Sequence, residues 1–194
     1  MTNQRLTDVI AAVDKINQQD PNREEFQGKN YAKEYLYSMR MSVMLDKYWP
    51  DSDEYLKIAV RAQHIKRWHI PRINFPQGKE GYLLWRKELG IYHAQLAAQL
   101  MLDQGYSEHE AQLTANIIKK EKFKRNHDAQ TLEDVACLVF LSHYFDAFAK
   151  KHEEDKIISI LQKTWKKMSA RGHEIALTLK LPDHLANLVN KALS

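Results

Sequence analysis

Apolar residues recur along this chain at the 3.6-residue spacing of helices that face a core. Leu6, Val9, Ile10, Val13 and Ile16 form one such stripe. Asp20-Pro21-Asn22 and Gln27-Gly28-Lys29-Asn30 read as breakers, and a second helix is expected from Tyr31 to Trp49, ended by Pro50. Asp51-Ser52-Asp53 caps a third, expected to reach about Trp68. Ile70-Pro71-Arg72 and Phe75-Pro76-Gln77-Gly78 read as extended loop, because the residue before proline avoids the helical region. Glu80 to Gln104 is a long fourth helix stopped by Gly105. Ser107 and Glu110 stand at capping-box spacing for a fifth, and Thr131 and Asp134 do so for a sixth running to Lys150. Stretches from Glu153 to Met168, Ala170 to Leu179 and Pro182 to Leu193 bring the count to about nine. No strand, internal repeat or low-complexity linker is read. The expected fold is all-α.

Composition narrows the class. At 194 residues the chain suits a single domain, 1–194, with a core at about 31–150 and the helices of 153–193 packed on it. Six glycines and five prolines are few, which favours helices. The one cysteine, Cys137, lies in an apolar run, so the chain forms no internal disulfide and suits a reducing compartment. The first twenty residues lack the apolar core of a signal peptide. The greasiest segment, Val135 to Leu141, is far shorter than the ~18 residues of a membrane span. The expected location is the cytoplasm, with no membrane partner.

Charge adds a direction. The formal net charge is +4. Lys119-Lys120-Glu121-Lys122-Phe123-Lys124-Arg125 forms one basic run, and Lys66, Arg67, Arg72, Lys79, Arg86 and Lys87 crowd another region. Such clusters bind phosphate or nucleic acid, or simply complement a helix C-terminus.

Chemistry-bearing side chains concentrate on three expected helices. Arg61, His64, Arg67 and Trp68 share a face of the third, among apolar residues that point to burial. Buried histidines commonly just bond a neighbour, but clustered cations are costly to bury without an anion. Arg86 and His93 lie two turns apart on the fourth helix, flanked by the small residues Gly90 and Ala97, which leave room for a close helix or a ligand. Asp134 reads as a general base, a metal ligand or a cap, and Glu133 beside it as a free carboxylate. Trp49, Trp85 and Trp165 read as core aromatics.

The stretches RAQHIKRWHIPR, GYLLWRKELGIYHA, TLEDVACLVFL and KTWKKMS resemble a bacterial and fungal family of unknown function, some of whose members carry a putative glutamyl-tRNA synthetase label. The chain has neither a His-Ile-Gly-His-type signature nor βαβ units, and Lys167-Met168-Ser169 is only a fragment of a synthetase loop. More distantly, the order of motifs is similar to that of HD-domain phosphohydrolases, all-helical enzymes with a dinuclear metal site. On that resemblance the first ligand position falls at Tyr37 in Tyr37-Ser38-Met39-Arg40, the His-Asp pair at His64-Ile65, and a later histidine at His93. The next ligand falls among Lys119 and Lys120, and the final aspartate at Ala136, leaving Asp134 as the preceding acid. The resemblance therefore implies no dinuclear centre and no cofactor; a single divalent metal, if held, would draw on His64, His93, Glu133 and Asp134. It implies His64, His93 and Asp134 as catalytic residues, with Arg40, Arg67, Arg72, Arg86 and Lys120 binding phosphate. Three readings stand open: a hydrolase of a phosphoester or nucleotide, a non-catalytic module for a phosphorylated small molecule, and an RNA-associated protein using residues 119–125. A tRNA synthetase is not among them.

Overall fold

The computed structural model describes residues 4–120 and 125–193. Among them are ten α-helices and one two-stranded hairpin, so the fold is all-α with a small addition. Two compact units divide the chain, one through residue 129 and one from residue 130. No helix of the described residues is long and apolar enough to cross a membrane.

The first unit opens with α1 (Gln4–Asn17), whose Val9 and Val13 are fully buried, as the stripe requires. A hairpin follows, β1 (Arg23–Phe26) and β2 (Lys29–Ala32), paired from Arg23↔Ala32 to Phe26↔Lys29. This corrects the expectation of a chain without strands. Gln27 and Gly28 take positive φ (51° and 73°), the backbone of a tight two-residue hairpin loop. What reads as a helix breaker is thus a hairpin turn. The second helix, α2 (Lys33–Tyr48), consequently starts two residues late, its Glu34 N–H donating to Asp20 Oδ2 at 3.0 Å.

Helix α3 (Glu54–Ala62) is capped by Asp53 as expected but stops well short of Trp68. Lys66 is left-handed at φ 52°, and its N–H donates to Asn17 Oδ1 at 3.0 Å. The end of α1 thereby fixes a turn that puts Gln63, His64 and Ile65 outside any helix. Short 3₁₀ turns (Arg67–His69 and Arg72–Asn74) lead to α4 (Gly78–Asp103). Gly81 presses on that loop so closely that a Cβ would sit 1.9 Å from the Pro76 carbonyl oxygen. The capping box of Ser107 and Glu110 starts α5 (Glu108–Ile118) as read from sequence. Leu36, Met41, Leu45, Ile58, Val60, Ile65, Leu89 and Met101 are buried in this unit.

Helix α6 (His127–Val139) begins before Thr131, because Asn126 Oδ1 accepts the N–H groups of Asp128 and Ala129 at 3.0 and 3.1 Å. The expected Thr131–Asp134 cap therefore lies inside the helix. A π-helical turn (Phe140–Tyr144) joins α6 to α7 (Phe145–Ala149). Helices α8 (Glu154–Lys167), α9 (Ala170–Leu177) and α10 (Asp183–Leu193) complete the second unit. Phe145, Ile157, Leu161 and Leu185 are buried there.

Candidate functional site

Three elements of the first unit converge on His64: α2 brings Glu34 and Tyr37, the turn after α3 brings Gln63 and Arg67, and α4 brings His93 and Trp85. The His64 ring stacks on Tyr37, centroids 4.4 Å apart and planes 15° from parallel. Arg67 Nη1 lies 3.2 Å from His64 Nδ1 and 3.1 Å from Nε2. A single nitrogen that close to both cannot lie in the ring plane without striking carbon, so the guanidinium crosses the imidazole face. The same guanidinium is 5.0 Å from the Trp85 ring. Trp85 is fixed in turn by donating its indole N–H to the Ile70 carbonyl at 2.8 Å.

Glu34 Oε2 is 3.3 Å from His64 Nδ1. Burial pushes the Glu34 carboxyl above its ordinary value, opposed by Arg67, Lys33 and His93. Burial likewise holds His64 well below its ordinary value, reinforced by Arg67, Arg86, Lys120 and Lys33. Both partners are driven toward their neutral forms, so the 3.3 Å contact is not a full ion pair. The Gln63 amide nitrogen lies 3.4 Å from His64 Nε2. Gln63 also donates to the Tyr37 hydroxyl at 2.9 Å.

His93 is 2% exposed, and its ring is 6.0 Å from that of His64. Its Nδ1–H donates to the Ile65 carbonyl at 2.7 Å, which leaves Nε2 as a buried acceptor with no donor among the described residues. Burial, and then His64, bring its pKa down to about 3. The Gln63 carbonyl oxygen is a second buried acceptor without a partner among the described residues. The site thus offers an oriented base, two unused acceptors and surrounding cations. Among the described residues no three His, Cys, Asp or Glu side chains stand close enough together to hold a metal ion.

A family model described as Domain of unknown function (DUF4202) matches residues 7–189. The chain belongs to that family. No curated protein and no solved structure matches it.

Within this DUF4202 chain the residues singled out from sequence separate into groups. His64, Arg67 and His93 meet, and Arg86 and Lys120 act on His64 through their charge. Arg40 is spent elsewhere: it bonds Glu24 and lies 4.8 Å over the Phe26 ring, fastening the hairpin to α2. Arg72 braces the loop before α4 through the Phe75 and Gly78 carbonyls at 2.9 and 3.4 Å. Arg61 pairs with Asp14 through two bonds of 2.7 Å. Lys122 and Lys124 of the basic run lie outside the described residues. Asp134 and Glu133 belong to the second unit. Asp134 Oδ1 accepts from Ser169 N at 2.8 Å and Gln130 Nε2 at 3.0 Å, and Oδ2 accepts the Ser169 hydroxyl. Ser169 Oγ accepts Gly172 N–H at 3.1 Å and so caps α9. Lys167-Met168-Ser169 is therefore a helix junction, and Glu133 lies 3.6 Å from Lys167. Sequence reading missed Glu34, Tyr37 as a ring partner, and Gln63. The available signal was spacing, since Glu34 and Tyr37 lie one turn apart on α2.

Proposed function

We propose that the first unit binds a phosphorylated small molecule, a phosphoester or a nucleotide, and hydrolyses it with His64 as general base. The observation that carries this reading is a neutral histidine in contact with the buried Glu34 carboxyl and surrounded by Arg67, Arg86, Lys120 and Lys33. Nε2 takes a proton from water as the new O–P bond forms and the bond to the leaving oxygen breaks. The cations stabilise charge on the phosphoryl oxygens. His93 Nε2, an acceptor only, receives a hydrogen bond from a substrate hydroxyl or the attacking water. The resemblance to HD-domain phosphohydrolases adds support, because Tyr37, His64 and His93 fall at three of that pattern's ligand positions and cluster around His64.

A non-catalytic binding module is the second reading. It is favoured by the excess of cations over the single acid Glu34, which suits retention of phosphate more than its release. The two are separated by screening phosphoesters and nucleotides, with and without chelator, on the parent chain and on His64→Ala, Arg67→Ala and Arg86→Ala. Turnover lost in His64→Ala while binding persists supports the hydrolase. Binding without turnover that fails in Arg67→Ala supports the module. Absence of both ends the phosphate reading, and chelator-sensitive turnover that survives His64→Ala ends the general-base mechanism.

A further inference from the structure

Helix α4 buries Leu89, His93, Ala94, Ala97 and Met101, but its first turns are largely exposed, with Tyr82, Leu83 and Leu84 among the exposed side chains. At about 100° per residue, Trp85, Leu89 and His93 lie toward the interior of the unit, and Leu89 and His93 are buried. On the far side Glu80, Leu83, Leu84 and Lys87 share roughly a third of the circumference. Leu83 is 55% and Leu84 47% exposed, with Glu80 and Lys87 exposed beside them. Further along the helix the same sector is covered, by burial of Ala94 and Met101, so the exposed leucines of the first turns call for a cover of their own.

The order of residues in the strip identifies that cover. It runs acid, leucine, leucine, base, and is complementary to itself when turned end for end. A two-fold axis between Leu83 and Leu84 sets Glu80 against the second copy's Lys87 and Leu83 against its Leu84, then repeats both contacts at the other end. Lys79 and Glu88, flanking the strip, are exchanged by the same axis and are also opposite in sign. Pairing the helices in parallel would instead put acid on acid and base on base. An anionic membrane surface would select cations alone, whereas this strip balances one acid with one base.

We propose that α4 pairs antiparallel with α4 of a second copy of this chain through Glu80, Leu83, Leu84 and Lys87. The strip is smaller than the ~800 Å² per partner of a standard interface, so monomer and dimer coexist in a concentration-dependent equilibrium. Trp85 and His93 lie on the other side of the helix, which separates this inference from the proposed chemistry at His64.

Sedimentation velocity of the full chain, over a concentration range of about a hundredfold, tests it. The expected result is a shift from monomer to dimer, with Leu84→Gln weakening association by roughly tenfold. Glu80→Lys and Lys87→Glu should each weaken it, and the double variant should return it to within a few-fold of the parent. All three substituted positions are exposed, so circular dichroism should show unchanged helix content. A monomer throughout the range overturns the proposal. So does a dimer indifferent to Leu84→Gln, or a double variant no better than the singles.

Discussion

Glu34 in the first unit and Asp134 in the second are both buried on helices, at 8% and 2% exposure, yet their surroundings differ in kind. Asp134 receives Ser169 N–H, the Ser169 hydroxyl and the Gln130 amide, so both of its oxygens are occupied. The side-chain contact of Glu34 among the described residues is the His64 imidazole, and burial outweighs the pull of nearby cations on its carboxyl. A buried carboxylate supplied with donors stabilises architecture; one left desolvated beside a neutral base is poised for chemistry. On the proposed function, the same residue class is a knot in one unit and a reagent in the other.

Removing the Glu34 charge should break this contrast most visibly. Glu34→Gln keeps an oxygen beside His64 Nδ1 but withdraws the carboxyl group that would stabilise an imidazolium formed during turnover. Turnover of any phosphoester found for the parent should fall by about 10²–10⁴-fold, while urea unfolding shows equal or higher stability. Unchanged turnover would mean that Glu34 does not support the base. Asp134→Ala should behave in the opposite sense. It strands three donors and should lower the unfolding free energy by about 3 kcal/mol. Phosphate binding by the first unit should persist in the folded fraction. If Asp134→Ala left stability intact and abolished activity, the assignment of the two acids would be reversed.

Gly172 sharpens the point on a smaller scale. A Cβ there would lie 2.8 Å from the Asp134 carboxyl carbon, so the carboxylate packs against the backbone of α9. Gly172→Ala should cost about 1–3 kcal/mol by overpacking. In an Asp134→Ala background most of that cost should vanish, because the atoms it strikes are gone. Additive effects in the four-way comparison would show that the clash is relieved some other way.

How much of this was legible in the sequence follows from how local each cause is. The α1 stripe and the Ser107–Glu110 cap depend on residues within one or two turns, and both could be read. The end of α3 could not, because Asn17, 49 positions away, takes the Lys66 N–H and holds the left-handed turn. The hairpin was hidden by strands of four mostly polar residues around a Gln-Gly loop, a weaker signal than Asn-Gly. Asp134 stood at capping-box spacing from Thr131, but Asn126 starts the helix earlier and Ser169 claims the acid. His64, Arg67 and His93 stood out because polar groups amid apolar runs are unusual. Glu34 did not, since an acid in the first turn of a helix ordinarily needs only the helix dipole to explain it. Its desolvation comes from tertiary packing.

Acidity tests the first unit's half of the comparison with the gentlest change. Between about pH 3 and its ordinary value of 6.5, His93 is neutral in the folded chain and protonated in the unfolded one. The unfolded state then binds more protons, so stability rises with pH through this window and levels off above it. His64, also held below its ordinary value, contributes in the same direction. Glu34 contributes the reverse. Its raised folded value means that the folded state holds the extra proton above 4.5, and stability falls as pH rises through that shift. Each group changes the slope by at most about 1.4 kcal/mol per pH unit. Urea unfolding between the ordinary values of 4.5 and 6.5 should therefore show net stabilisation with rising pH. His93→Gln should flatten that rise, and Glu34→Gln should steepen it by removing the opposing term. Parent and His93→Gln curves that ran parallel would mean His93 is not held neutral by burial, and the contrast between a desolvated site and a saturated knot would lose its physical basis.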